Sequence, residues 1–114
     1  MSADELELLQ GTLDLLVLRA LNWGPMHGYG VVRFIRNGSS GAFDVKDGAL
    51  YTCLHRLEER GLVEAEWGLS DRGKRARFYS ITSDGRRALR TSASMFERYV
   101  AAVEGVMNAE PREA

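Results

Sequence analysis

The sequence predicts a mainly α chain with one small β-hairpin and a long final helix. Three observations lead there. Apolar residues recur at three–four spacing in four separate stretches, the mark of amphipathic helices. Only residues 62–82 alternate apolar and polar side chains about a glycine-bearing turn, the mark of a hairpin. Chain breakers (Gly24-Pro25, the loop 37–41 and Gly61) separate these stretches.

Residues 6–23 read as the first helix. Leu6, Leu9, Leu13, Leu16 and Ala20 form one apolar stripe, and Leu8, Leu15 and Leu18 a second. A helix apolar on two sides touches two bodies, its own domain and a second chain. Residues 27–37 form a shorter helix. Its buried side is either Tyr29, Val32 and Ile35 or, at another pitch, Val31 and Phe34. The third helix starts near Asp47, where Leu50, Cys53, Leu54 and Leu57 stand at i, i+3, i+4 and i+7. Asp47 and Arg60 suit the helix dipole at the two ends, and Gly61 caps the C-terminus.

Residues 62–67 make a first strand, with Val63, Ala65 and Trp67 on one side. Residues 75–82 make a second, with Tyr79 and Ile81 on one face and Phe78 on the other. The polar turn 68–74 joins them with a basic tip. Trp67 reads as a core residue and Trp23 as a packing residue at a helix end. A last helix, capped by Ser83 or Asp84, runs to about Met107. Its stripe of Leu89, Ser92, Phe96, Tyr99, Val103 and Val106 suits a partner helix in a dimer, and the alternative is packing against its own domain. The chain divides into a domain at 1–82 and a dimerisation helix with tail at 83–114. With Leu8 and Leu15, the residues Leu89, Phe96, Tyr99, Val103 and Val106 form the expected dimer contact.

The totals narrow the class. At 114 residues, one domain with a modest core is expected, and oligomerisation would help to stabilise it. One cysteine, Cys53, excludes an internal disulfide and fits a reducing compartment. No apolar run can span a bilayer, and the acidic start MSADELELL lacks the character of a signal peptide, so a cytoplasmic protein is expected. The net charge is −1, yet residues 71–90 hold seven basic and two acidic side chains, a local +5. Residues 1–18 hold four acids and no base.

Three helices, a hairpin and a long helix give the order of a winged helix-turn-helix domain. The third helix then becomes a recognition helix whose first turns meet base edges. Gly48 and Ala49 allow close approach to a groove. Tyr51, Thr52, His55 and Arg56 offer donors to bases and phosphates. Arg72, Lys74 and Arg75 at the hairpin tip can reach the backbone or the minor groove. A basic wing beside an exposed helix is the footprint of a DNA reader, and double-stranded DNA is the expected partner.

Four motifs in order strengthen this reading. Leu9-Gln-Gly-Thr-Leu-Asp-Leu-Leu16, Gly24-Pro-Met-His-Gly-Tyr29, Gly48-Ala-Leu-Tyr51 with Leu54-His-Arg-Leu-Glu-Glu-Arg-Gly-Leu62, and Arg77-Phe-Tyr-Ser-Ile-Thr82 with Gly85 resemble the signatures of the PadR family of transcriptional regulators. The resemblance spans about residues 8–89. It implies a homodimer, built by the first and last helices, that binds a palindromic operator, usually as a repressor. A single C-terminal helix resembles the short subfamily. The match also places Tyr29 near the DNA side of the helix-turn-helix, against the alternative of a core tyrosine. Where the family commonly has proline, this chain has Thr52, which keeps its N–H and adds a hydroxyl; Cys53 is a second departure.

Some members of the family bind flat aromatic ligands between protomers. Met95, Phe96 and Tyr99 could line such a space here, or could simply pack the interface. His27, Cys53 and His55 do not form a ligand cluster in sequence, so no metal or cofactor is expected. A redox role for Cys53 needs an exposed, low-pKa thiol. No phosphate loop or catalytic motif suggests an enzyme. A winged helix that binds an acidic protein remains the alternative partner reading.

Overall fold

Seven elements run along the chain: α1 (Thr12–Leu21), β1 (Met26–His27), α2 (Gly28–Gly38), α3 (Asp47–Glu59), β2 (Val63–Leu69), β3 (Arg75–Ile81) and α4 (Ser83–Met107). They come from a computed structural model that describes residues 5–112. The strands form one antiparallel sheet in the order β1-β3-β2. This is the mainly helical winged arrangement that the apolar spacing predicts.

The first helix is shorter than its leucine repeat suggests. The backbone turns at Gly11 (φ 85), and Thr12 N–H donates to the Leu9 carbonyl at 3.0 Å. Leu6 N–H donates instead to the Ala42 carbonyl at 2.8 Å, in the loop between α2 and α3. Residues 6–9 therefore form no helix, and Leu6 is tied to that loop. Leu6 and Leu9 are exposed, and Leu8 packs against the core. The three–four spacing of Leu6 and Leu9 is real in the sequence but is not used by a helix.

Each helix end has a local cause. His27 caps α2, with its Nδ1 accepting from Gly30 N–H at 3.1 Å. The end of α3 closes with paired backbone bonds, Leu62 N–H to Leu57 O (2.9 Å) and Gly61 N–H to Glu58 O (3.0 Å). That pattern requires the left-handed φ of 74 that Gly61 supplies. The cap of α4 is Thr82, just before the expected Ser83 or Asp84. Its Oγ1 accepts from Gly85 N–H at 3.0 Å and donates to the Gly61 carbonyl at 2.8 Å.

The core lies where the helices meet the sheet. Val17, Leu18 and Leu21 of α1 meet Val31, Val32 and Ile35 of α2 and Leu50, Leu54 and Leu57 of α3. Val63, Tyr79 and Leu89 close it from the sheet and α4. Leu89 is only 7% exposed, so the single chain already uses the side chain assigned above to the dimer contact. Farther along α4 the apolar side chains stand free: Met95, Phe96, Tyr99, Val103 and Val106 are all exposed.

Both tryptophans differ from expectation. Trp67 is 58% exposed, because β2 leaves the core after Val63 and Ala65 and extends into the wing. Trp23 is 71% exposed beyond the end of α1, with the Arg19 guanidinium 5.9 Å from its ring. No helix among the described residues is long and apolar enough to cross a membrane.

Candidate nucleic-acid interface

Helix α3 divides cleanly. Leu50, Cys53, Leu54 and Leu57 are buried, and Gly48, Ala49, Tyr51, Thr52 and His55 lie on the exposed side. The apolar stripe thus orients five of the predicted contact residues outward. His55 Nε2 lies 3.7 Å from Glu59 Oε2, one turn on.

Tyr51 leans from this face toward α2. Its ring lies over Gly28, where an added Cβ would stand 2.8 Å from Tyr51 Cζ. Only glycine permits that approach. Beside it Tyr29 is exposed, with the Arg33 guanidinium 5.3 Å from its ring and the His27 ring stacked at 6.5 Å. Tyr29 is thus a surface residue beside Tyr51 and not the core tyrosine of the alternative reading.

The wing forms the opposite wall. The strands pair from Val63↔Ile81 to Leu69↔Arg75, and the turn closes through Ser70 N–H to Lys74 O and Gly73 N–H to Ser70 O, both 2.8 Å. Arg72, Lys74 and Arg75 are carried there, all exposed. Arg75 sits 4.7 Å over the Trp67 ring. Arg77 Nη2 donates to Glu58 Oε2 at 3.2 Å and ties the wing to α3. Between the walls lies an open cleft of about 750 Å³, faced by Tyr29, Tyr51, Trp67, Arg33, Arg72 and Arg75. Among the described residues, Arg33, Arg72, Lys74 and Arg75 make no ion pair. Flat aromatic surfaces with unpaired guanidinium groups suit sugar–phosphate chain.

Arg56 stands apart from this group. It lies on the flank of α3 that faces α1, where its Nη2 donates to Asp14 Oδ1. The same oxygen accepts from Cys53 Sγ at 3.1 Å, and Arg60 Nη1 lies 3.9 Å from Oδ2. Burial, and then the hydrogen bond to Asp14, push the Cys53 thiol up to about 12. A thiol held neutral in the core is the opposite of a redox sensor. His27 caps α2, His55 is at the surface and Cys53 is bonded to Asp14. Among the described residues no group of three His, Cys, Asp or Glu side chains is arranged to hold a metal.

Sequence reasoning missed Trp67 and Arg33 as parts of the cleft, and Asp14 as the partner of Arg56. Arg33 was visible one helical turn after Tyr29. Trp67 was hidden by an alternation that is genuine but outruns the core. Asp14 and Arg56 are 42 residues apart, and no local spacing connects them.

The model of the PadR-like family of transcriptional regulators matches residues 17–91. A protein of Lysinibacillus sphaericus is 36% identical over 84 residues, which are 73% of this chain and 76% of that one. Among solved structures, a PadR family transcriptional regulator from Eggerthella lenta is 28% identical, with a TM-score of 0.76 over 89% of this chain and 86% of that one. A Streptococcus transcriptional regulator is 25% identical, with a TM-score of 0.78 over 91% of this chain and all of that one. A fold carrying a basic wing beside an exposed helix, matched over most of its length, thus places this chain in the PadR-like family of transcriptional regulators, which are transcription factors and not enzymes.

Proposed function

We propose that the chain binds operator DNA as a homodimer and acts as a repressor. The observation that carries this is the cleft between α3 and the wing, where Arg33, Arg72 and Arg75, three cations without an ion pair among the described residues, and three exposed aromatic rings converge beside the free face of α3. In this reading Gly48, Ala49, Tyr51, Thr52 and His55 approach the major groove, and Tyr29 lies along the backbone. Arg72, Lys74 and Arg75 add phosphate or minor-groove contacts, with Trp67 and Arg33 lining the path between. Arg56 is left out of this set because Asp14 holds it.

The exposed stripe of Phe96, Tyr99, Val103 and Val106 supports a second copy of the chain as the partner of α4, with Leu8 and Leu15 of the first segment at its edge. A two-fold dimer presents its recognition helices about 34 Å apart, one turn of B-DNA, so the operator is palindromic. An aromatic effector, where one acts, would lie between protomers against Met95, Phe96 and Tyr99, since these side chains stand open on a single chain.

The test is fluorescence anisotropy with duplex from the region upstream of the protein's own gene, against random duplex, across a salt series. The reading expects a steep fall with salt and a preference for the upstream duplex. Arg72→Ala flattens the slope by about 0.9 per protomer on either duplex. Binding that ignores salt would sink the reading. A salt-sensitive preference for an acidic protein over every duplex would replace it with the protein-partner alternative.

A further inference from the structure

Asp14 gathers donors from one stripe of the recognition helix. Cys53, Arg56 and Arg60 stand at i, i+3 and i+7, and all three point at its carboxylate. The Asp14 side chain is 22% exposed and that of Arg56 48%. Thr52, one helical turn before Arg56 on the same stripe, is exposed on the face assigned to DNA. An arginine so placed is within a side chain's length of the backbone that Thr52 would approach. A carboxylate offers a guanidinium the same paired oxygens as the edge of a phosphate.

We infer that Asp14 is an internal phosphate mimic that occupies Arg56 and keeps it off the DNA backbone. The inference rests on the DNA reading above. The geometry favours retention of the pair over its exchange for DNA. The neutral Cys53 thiol supplies no charge, and Arg60 lies at the limit of pairing distance. Moving Arg56 to a phosphate would leave a half-buried carboxylate with only the Cys53 hydrogen bond and Arg60 at 3.9 Å in place of its main counter-charge, which disfavours the exchange. Arg72 and Lys74 carry no such obligation. The consequence is restraint on sequence-independent affinity. Phosphate grip is left to the wing and the cleft, and the recognition helix contributes mainly its base-facing residues.

The test uses the full chain and a labelled random-sequence duplex, so no operator is needed. Binding is followed by anisotropy across a salt series, and folding of each variant by circular dichroism. Asp14→Asn should tighten binding several-fold at low salt and steepen the slope of log K against log salt by about 0.9 per protomer, the signature of one added phosphate contact. The double variant Asp14→Asn with Arg56→Ala removes both charges and should return the slope to that of the wild type. A double variant flatter than the wild type by about 0.9 per protomer would mean that Arg56 already grips DNA, and would overturn the inference. A folded Asp14→Asn variant with the wild-type slope would overturn it equally. Should Asp14→Asn alone fail to fold, the double variant still decides. Wild-type protein without salt-sensitive duplex binding would instead remove the DNA reading, and the inference with it.

Discussion

Replacing Thr82 by alanine should destabilise the protein by about 2 kcal/mol. The hydroxyl makes two bonds that alanine cannot. It accepts from Gly85 N–H at 3.0 Å, capping α4, and donates to the Gly61 carbonyl at 2.8 Å, just past the end of α3. Loss of a threonine cap costs about 1 kcal/mol. A hydrogen bond to a carbonyl contributes about 1 kcal/mol, and somewhat less here because water can reach the Gly61 oxygen. The backbone bond from Thr82 N–H to Leu62 O, 3.1 Å, survives the change and limits the damage.

For 114 residues the unfolding entropy is about 0.24 kcal/mol/K, so 2 kcal/mol lowers the melting temperature by about 8 °C. Thermal and urea unfolding at one fixed protein concentration measure this, since any self-association would otherwise shift the midpoint. Thr82→Ser keeps both bonds and should melt close to the wild type. Thr82→Val keeps the shape without the hydroxyl and should fall with alanine. Alanine and valine variants both within about 0.5 kcal/mol of the wild type would refute the account, because neither bond would then contribute at its usual size.

Three further outcomes are expected. The Cys53 thiol holds its proton to about 12 when folded, against 9.0 for an ordinary thiol, so the unfolded chain releases that proton first as pH rises. Folding stability should therefore fall between pH 9.0 and about 12, by up to about 1.4 kcal/mol per pH unit, and the difference from Cys53→Ala in urea melts isolates this part. Gly28→Ala drives a methyl into the Tyr51 ring, which must swing away; duplex affinity should drop in anisotropy titrations with little change in melting temperature. Phe96→Glu with Val103→Glu places charges on the free stripe of α4 and should yield a folded monomer in sedimentation velocity, where an unchanged mass would refute α4 as the dimer contact.

The elements that sequence revealed are those whose signal is local. Leu50, Cys53, Leu54 and Leu57 encode α3 completely, because one buried face fixes one spacing and Gly61 fixes the stop. The hairpin was equally plain between Val63 and Ile81. The two-residue β1 was invisible, since Met26 and His27 are too few to alternate and pair only through Tyr79 and Phe78. The start of α1 was misplaced because Leu6 and Leu9 keep helical spacing while Leu6 N–H bonds to Ala42, a choice made by tertiary contact. In the candidate site, the outward face of α3 and the wing tip were legible as chemistry on one element each. Trp67 was assigned to the wrong environment, and the partner of Arg56 was not legible at all, because the sequence does not reveal that α1 crosses α3 at Asp14.

The acids near this surface are arranged so that some cations are held and others are left. Asp14 takes Arg56, Glu58 takes Arg77, and Asp44 pairs with Arg36 and Lys46. Among the described residues, Arg33, Arg72 and Arg75 in the cleft and Lys74 in the wing turn have no acidic partner, although Asp71 also lines the cleft. A chain of net charge −1 has little long-range attraction for DNA. Within a Debye length, about 8 Å at physiological salt, a phosphate meets the local positive field of the wing instead. In the proposed reading, attraction that appears only at contact would reward a duplex whose backbone follows the cleft while its groove receives α3. The same residues that lower indiscriminate affinity would thus sharpen the choice among sequences. On the proposed reading, that coupling would let a regulator with a basic wing carry a negative total charge.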